Sequence, residues 1–214
     1  MCGGCGSWNI LNNGEDCSCD DPCDVLEDPI AIDLSGAGYL LTNAQNGVKF
    51  NFFGEGSVRL SWTLQSSEVG WLVLDRNGNG KIDNGAELFS NVSPQPGPTS
   101  AMKGFRALAQ YDARPNGGNG DGLITAQDAV FSKLMVWVDK NHDGISQPDE
   151  LFTMQQAGIK SISIAYTPSR WADVYGNQFR YKGQIQWAKP LKGKTTAAIY
   201  DVILVSATKG KGGN

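Results

Sequence analysis

One stretch of 17 residues, VLDRNGNGKIDNGAELF at positions 73–89, constrains the fold more than any other part of the chain. It combines three glycines with six side chains that end in a carboxylate or an amide: Asp75, Asn77, Asn79, Asp83, Asn84 and Glu87. A hydrophobic core cannot hold so many polar groups, because each would need a buried partner. Asn-Gly and Asp-Gly pairs are also typical of plain turns, which need no ligand. The alternative is that these oxygens converge on a hard cation such as Ca²⁺, which takes roughly six to eight oxygen ligands.

The spacing matches the calcium loop of EF-hand proteins, where side chains at positions 1, 3, 5 and 9, a carbonyl at 7 and an acid at 12 face the ion. Counted from Asp75, Gly80 falls at position 6, and Ile82 at position 8 anchors the loop in the domain. The acid comes one position late, so either the loop is one residue longer than usual or Glu87 binds through water. The candidate ligands of this loop one (residues 75–87) are the side chains of Asp75, Asn77, Asn79, Asp83 and Glu87 and the carbonyl of Lys81.

The pattern recurs twice between residues 75 and 150, which turn composition alone does not explain. Loop three (residues 139–150), DKNHDGISQPDE, has the standard length. Its candidate ligands are Asp139, Asn141, Asp143, Glu150 and the carbonyl of Ile145.

Loop two (residues 112–128) is an interrupted copy. Gly117 falls at position 1 and has no side chain to offer, but Asp112 can take that position if residues 113–118 bulge outward. The candidate ligands are then Asp112, Asn119, Asp121, Thr125 and Asp128 and the carbonyl of Leu123.

Five segments in this order carry a family resemblance: DPIAIDLSGAG, WLVLDRNGNGKIDNGAELF, GFRALAQYD, VWVDKNHDGISQPDEL and GIKSISIAY. Together they resemble an EF-hand-like calcium-binding domain of large secreted bacterial proteins, often found beside RTX repeats. The resemblance covers about residues 28–206. It departs from the family at residues 33–38, where DLSGAG stands in place of the usual DLDGDG, so we interpret this segment as a turn.

The resemblance includes the self-processing module of iron-regulated RTX proteins, which opens with an Asp-Pro pair before its first strand. Asp28 and Pro29 occupy that place here. The resemblance implies that calcium-dependent folding triggers attack of the Asp28 side chain on its own carbonyl carbon, with the Pro29 nitrogen as leaving group. A lysine amine can then capture the anhydride. Asp21-Pro22 is a second Asp-Pro pair in the chain.

Residues 1–26 form a Cys-rich segment, and its spacing fits zinc ligation or two disulfides with one thiol left over. We favour disulfides or a disordered linker over zinc, because the segment contains no histidine. We expect one calcium-binding domain at residues 27–206, since 40% hydrophobic content can bury one sizeable core. A flexible basic tail follows at residues 207–214. The cysteines are Cys2, Cys5, Cys17, Cys19 and Cys23.

Charge is unevenly distributed. Residues 1–150 hold 20 of the 22 acids and 9 of the 18 Lys and Arg residues, so the acids accompany the loops that would bind calcium. The basic remainder lacks a recognition helix, and we expect no nucleic-acid partner. No apolar run is long enough to span a membrane, and the first residues do not form a signal peptide. From the resemblance, we expect a module of a larger parent protein at the cell surface or outside the cell.

The periodicity predicts an α+β fold in which β-strands and short helices are joined by EF-hand-like calcium loops. Helices are predicted at residues 99–112, 125–134 and 148–158. His142, the one histidine, lies at position 4 of loop three, where a catalytic role is not expected. Strands are predicted at residues 30–34, 48–52, 58–64, 70–75, 134–139, 160–166, 178–188 and 198–206.

These observations favour a calcium-binding structural module of a secreted bacterial protein, folded or rigidified by Ca²⁺ at its loops. The alternative is a calcium-triggered self-processing module that cleaves its own Asp28-Pro29 bond. A zinc-binding interaction module built on the Cys-rich segment is a third hypothesis. The chain contains no GxSxG, HExxH or phosphate-binding loop, which argues against a general hydrolase or a nucleotide enzyme.

Overall fold

A computed structural model describes residues 28–97 and 103–207, so the predictions for the Cys-rich segment and for most of the basic tail lie outside the described residues. The described part contains eleven β-strands, one α-helix and two short 3₁₀ turns at Arg114–Asn116 and Pro148–Glu150. The strands and the helix are β1 (Ile30–Asp33), β2 (Val48–Phe50), β3 (Val58–Leu60), β4 (Val69–Leu74), α1 (Gly104–Ala109), β5 (Leu123–Ile124), β6 (Leu134–Trp137), β7 (Leu151–Thr153), β8 (Ile159–Ser163), β9 (Thr167–Ala172), β10 (Gln178–Leu191) and β11 (Lys194–Ile203).

Nine of these strands form one antiparallel sheet in the order β5-β8-β10-β11-β1-β4-β6-β7, with β9 also paired to β10. The other two, β2 and β3, form a separate hairpin. The first strand of the described chain, β1, therefore lies in the middle of the sheet between β11 and β4. Asp28 and Pro29, which directly precede β1, are buried as well.

Both faces of the central strands are buried, because alternate residues of a strand point to opposite faces. Ile30 and Ile32 of β1 join Leu72 of β4 and Phe105 of α1 in a helix-side core. On the other face, a loop-side core packs Trp71 of β4 against Phe50 of β2 and Trp137 of β6, together with Trp62, which follows β3.

The predicted α+β fold with EF-hand loops is wrong. Within the described residues the fold is β-rich, and the calcium-type loops lack the paired flanking helices that define EF-hands. Each of the eight predicted strand ranges contains a strand. Within the described part of the three predicted helix ranges, α1 is the one α-helix.

Two of the predicted helices, at residues 125–134 and 148–158, are absent from these described ranges, and the reasons can be identified. Residues 126–133 form successive turns, with hydrogen bonds such as Phe131 N–H to the Asp128 carbonyl spanning three residues, while the Asp128 side chain is held in loop two. The predicted helix at residues 148–158 has only one 3₁₀ turn, because the next residues pair with β6, as Leu151 does with Trp137. A sheet edge that needs a partner overrides local helix propensity.

None of the helices in the described ranges is long and apolar enough to cross a membrane.

Candidate calcium loops and a buried Asp-Pro junction

Each of the three loops is built around the carboxylate of its first aspartate. In loop one, Asp75 accepts hydrogen bonds from the backbone N–H groups of Gly78, Asn79 and Gly80 at 2.8, 3.2 and 2.8 Å. In loop three, Asp139 accepts from Asp143 and Gly144 at 3.1 and 2.9 Å. These bonds turn the backbone around one carboxylate and leave the following side chains gathered on the same loop.

Loop two has the same centre although its sequence is interrupted. Asp112 accepts from the N–H groups of Gly120, Asp121 and Gly122 at 3.0, 3.2 and 3.0 Å, as the first aspartates of the other loops do from equivalent positions. The intervening residues 113–118 form a separate turn that contains the 3₁₀ segment Arg114–Asn116. Asp112, not Gly117, therefore stands at position 1.

Position 6 of every loop holds a glycine with positive φ: 78° at Gly80, 87° at Gly122 and 73° at Gly144. A side chain is strained in that left-handed conformation, so glycine is the residue that lets the loop turn.

The last acid of each loop closes it by accepting backbone N–H groups from both halves of the loop. Glu150 accepts from the N–H groups of Lys140 and Gln147, at positions 2 and 9, at 2.8 and 3.3 Å. In the longer loop one, Glu87 accepts from the same two positions, Arg76 and Asp83, both at 3.0 Å. The extra residue is thus accommodated, and Glu87 lies where Glu150 lies. In loop two, Asp128 accepts from Thr125 at position 9 at 2.7 Å, and from Asn119 at position 3 in place of position 2 at 3.1 Å.

The donor set of the loops fits a hard cation. Amide and carboxylate groups lie against each other, as in Asn119 Nδ2 to Asp121 Oδ2 at 2.8 Å and Asn141 Nδ2 to Asp143 Oδ2 at 2.9 Å. Within residues 28–97 and 103–207, His, Cys, Asp and Glu side chains alone form no metal-holding group of three or more. Amide and carbonyl oxygens would therefore have to complete the sites, as they do for Ca²⁺ elsewhere.

Loop three also concentrates negative charge in a buried position. Asp139 and Glu150 are each only 2% exposed. Burial, and to a lesser extent the charges of Glu150 and Asp143, raise the pKa of Asp139. A cation held there would offset both effects.

The loops are tied to the rest of the fold by their position-8 residues. Ile82 is buried in the loop-side core and Ile124 in the helix-side core, as the pattern of loop one predicts for Ile82. In loop three position 8 is Ser146, whose hydroxyl accepts from the Ile82 N–H at 2.7 Å and joins loops one and three. The ring nitrogens of His142 lie 2.9 and 2.7 Å from the carbonyls of Thr63 and Asn46, which is a packing role.

The Asp28-Pro29 bond lies in a second, buried site directly before β1. Asp28 is 2% exposed, and its Oδ1 accepts a hydrogen bond from Asn91 N–H at 2.6 Å. On the other side of the bond, Val202 N–H donates to the Pro29 carbonyl at 3.0 Å. Ile30 N–H donates to the Phe89 carbonyl, also at 3.0 Å. The junction is therefore held from two directions, by the segment after loop one and by β11.

A further carboxyl group, which the sequence analysis missed, shares this site. Asp201 of β11 pairs with Ile30 and is fully buried. Its Oδ2 accepts from Gly104 N–H, at the start of α1, at 3.1 Å, and its Oδ1 has no hydrogen-bond partner among the described residues. The signal in the sequence is one acid within the apolar run AIYDVILVS.

Burial raises the pKa values of both carboxyl groups. That of Asp201 is raised to about 7, and that of Asp28 is raised well above the usual range by burial and then by the charge of Asp201. The nearby charges of Arg180 and Lys103 act in the opposite direction. The structure thus brings together two carboxyl groups at the candidate scissile bond, and it keeps both predicted residues, Asp28 and Pro29, in that place.

Comparison with known proteins adds two findings. A family model described as the SPM domain matches residues 30–205. The iron-regulated protein FrpA of Neisseria meningitidis serogroup C is 43% identical over 141 residues, which is 65% of this chain and 12% of the relative's length. The match thus spans about an eighth of a much larger protein. Both findings fit the resemblance to the module of iron-regulated RTX proteins. Neither bears on calcium, so the ligand sets of the loops remain predictions.

Proposed function

The chain belongs to the SPM-domain family, and on this premise we propose that it is a self-processing module of a larger iron-regulated RTX protein that cleaves its own Asp28-Pro29 bond. The observation that carries the proposal is the packing of this bond. Asp28 and Pro29 are buried, and backbone hydrogen bonds hold the carboxyl group and the proline carbonyl. A segment that only led into β1 would not need a buried carboxyl group, because burying an acid costs stability.

The reaction uses two groups of one residue. The Asp28 carboxylate attacks the carbonyl carbon of the same residue and closes a five-membered anhydride, and the C–N bond to Pro29 breaks. Little orientation entropy is lost, because nucleophile and carbonyl are already adjacent. Asn91 restricts rotation of the carboxyl group, and Val202 anchors the far side of the bond. Water then opens the anhydride, or a lysine amine captures it.

Calcium in the three loops is the second part of the proposal, with the ligand residues named from the sequence. Bound Ca²⁺ would neutralise the loop carboxylates and stabilise the folded state. Two connections link the loops to the junction. Loop one ends at Glu87, and the next residues supply Phe89 and Asn91, which hydrogen-bond to Ile30 and Asp28. Loop two directly follows α1, whose first residue contacts Asp201.

The setting of the module follows from the same premise. We expect it to work outside the cell or at the cell surface, where millimolar calcium is available and other domains of the parent protein flank it. A cleaved module would separate the parts of the parent on either side of Asp28.

Addition of calcium to the purified chain tests the proposal. In millimolar CaCl₂ at neutral pH, mass spectrometry should detect a new fragment that begins at Pro29, and excess chelator should prevent it. The Asp21-Pro22 bond is an internal control, because it has the same chemistry and should stay intact. Asp28→Ala should abolish the fragment.

An intact chain after a day, with calcium shown to be bound, would refute self-cleavage and leave a calcium-binding module. That second function rests on the oxygen-only donor sets of the three loops. Mass spectrometry of the native chain that finds no calcium above background would refute it in turn.

A further inference from the structure

The unpaired oxygen of Asp201 is the feature of the junction that self-cleavage by Asp28 alone leaves unexplained. Asp201 is fully buried, and within residues 28–97 and 103–207 only its Oδ2 receives a donor. An unsatisfied buried polar atom costs stability, and in native structures it often marks a functional position.

Asp201 lies on the same side of the sheet as Asp28. It is the register partner of Ile30, and partners in an antiparallel pair project to one face. Asp28 precedes Ile30 by two residues, so an extended backbone directs its side chain to that face as well. The ladder continues to the scissile residue itself, since Val202 N–H binds the Pro29 carbonyl.

The fold brings α1 unusually close to fix Asp201. A Cβ atom on Gly104 would lie 2.4 Å from the Phe89 carbonyl oxygen and 2.7 Å from Ile30 Cγ1, so only glycine fits. This close approach lets the Gly104 N–H reach Asp201 Oδ2, and it leaves Oδ1 as the oxygen able to carry a proton.

We infer that Asp201 is the acid–base partner of Asp28 and delivers the proton that the Pro29 nitrogen takes up when the peptide bond breaks. This inference rests on the proposed self-cleavage and adds a second residue to it.

The proton balance closes with one proton shared by the two carboxyl groups. Asp28 as carboxylate forms the new C–O bond, the C–N bond breaks, and the electron pair left on the Pro29 nitrogen takes the proton from Asp201. The products are the Asp28 anhydride, the free proline amine and the Asp201 carboxylate, with the total charge unchanged. Water then opens the anhydride to two carboxyl groups.

The charges around the pair favour the singly protonated state. Burial and mutual repulsion oppose two carboxylates, while Arg180 on β10 and Lys103 before α1 oppose two neutral acids. Such a pair titrates as a unit, with one proton lost near neutral pH.

Replacement of Asp201 tests the inference on the 214-residue chain in millimolar CaCl₂ between pH 5.5 and 9. The readout is the rate at which the fragment beginning at Pro29 forms. In the wild type the rate should rise as the pH passes about 7, where the pair loses its first proton and keeps the one that it shares. Asp201→Asn should slow cleavage by about 10²-fold or more and remove this rise near pH 7. The amide keeps an acceptor for Gly104 N–H, so the melting temperature should not fall.

Two further variants separate proton transfer from packing. Arg180→Gln removes a charge that lowers the pKa of Asp201 and should move the rise in rate to higher pH. Asp173→Asn makes the same carboxyl-to-amide change at a turn where Asp173 accepts from Tyr175 and Asn177, and it should leave the rate and the pH profile unchanged.

The possible results discriminate clearly. Cleavage of Asp201→Asn within about threefold of the wild-type rate, with the same pH profile, would overturn the inference and leave self-cleavage by Asp28 standing. If Asp201→Asn does not fold, an unshifted profile in Arg180→Gln overturns it. A wild-type chain that binds calcium and stays intact refutes the proposed function itself.

Discussion

Buried carboxyl groups occur in two regions of this protein, the loops and the junction, and they are treated in opposite ways. The closing acids Glu87 and Glu150 of the loops are 2% exposed, and each accepts at least two backbone N–H groups. At the junction Asp28 and Asp201 are buried to a similar degree, but one backbone donor is seen for each. The number of backbone N–H donors, and not the extent of burial, distinguishes the closing acids of the loops from the acids of the junction.

The difference follows from the physics of a buried acid. Several N–H donors favour the ionised form, and a carboxylate in that state is a ligand for a cation. An apolar site with one donor and a second carboxyl group favours retention of a proton. On the proposed function, acidic side chains would thus serve as calcium ligands in one region and as reacting acids in the other.

Removal of calcium should have the largest effect, because it acts on the loops together. Each ion that binds only the folded state stabilises it by about 2.7 kcal/mol at a hundredfold excess over Kd. We expect chelator to lower the melting temperature strongly and to stop formation of the Pro29 fragment. Calorimetry with calcium or chelator measures the first effect. An unchanged melting temperature would show that the loops are plain turns and would remove the contrast between the regions.

The junction should make stability depend on pH in the direction opposite to that of ordinary surface acids. A carboxyl group whose pKa is raised on folding contributes stability that is full below its unfolded pKa near 4 and is lost as pH rises through the folded value, about 7 for Asp201. Between these limits the wild type should lose about 1.4 kcal/mol per pH unit relative to Asp201→Asn. Urea unfolding of both proteins at saturating calcium measures the difference, in which the loops cancel. A pH-independent difference would mean that Asp201 is ionised throughout.

A single candidate ligand of loop three should matter more when calcium is present. Asp139→Ala should lower the free energy of unfolding by about 2.7 kcal/mol more at a hundredfold calcium excess than in chelator, where only its hydrogen bonds with Asp143 and Gly144 are lost. The matched control is Asp149→Ala in the same loop, where an exposed ion pair with Lys140 at 3.6 Å contributes little. Equal losses for Asp139→Ala in both conditions would make Asp139 structural without being a ligand.

The smallest effect on stability should come from alanine substitution of the position-6 glycines. It should distinguish a loop whose glycine faces open space from one whose glycine packs against β2. Gly80 and Gly144 both occupy position 6 with positive φ, so alanine should cost about 1 kcal/mol at either place. At Gly80 the added Cβ meets open space, whereas at Gly144 it would lie 2.9 Å from Val48 Cγ2 and 3.0 Å from the Lys49 carbonyl. Gly144→Ala should therefore be clearly the more destabilising in thermal melts. Equal losses would show that loop three is not packed against β2.

Several features were determined by the sequence itself. The position-6 glycines and the first aspartates predicted the shape of loops one and three, because those loops are held by bonds between residues close in the chain. Alternating apolar residues predicted the main strands, because successive side chains of a strand point to opposite faces of the sheet. The Asp28-Pro29 pair is also visible in the sequence. In the structure both residues lie directly before β1, the position that the resemblance implies.

Other features depended on the tertiary structure. The segment at 148–158 has the residues of a helix, but the unpaired edge of β6 made part of it a strand, as the Leu151–Trp137 pairing shows. Asp201, far from Asp28 in the chain, meets it through the pairing of β1 with β11. Local hydrogen bonds are encoded within a few residues, whereas the sheet partners and the burial that set a carboxyl pKa exist only once distant segments have packed.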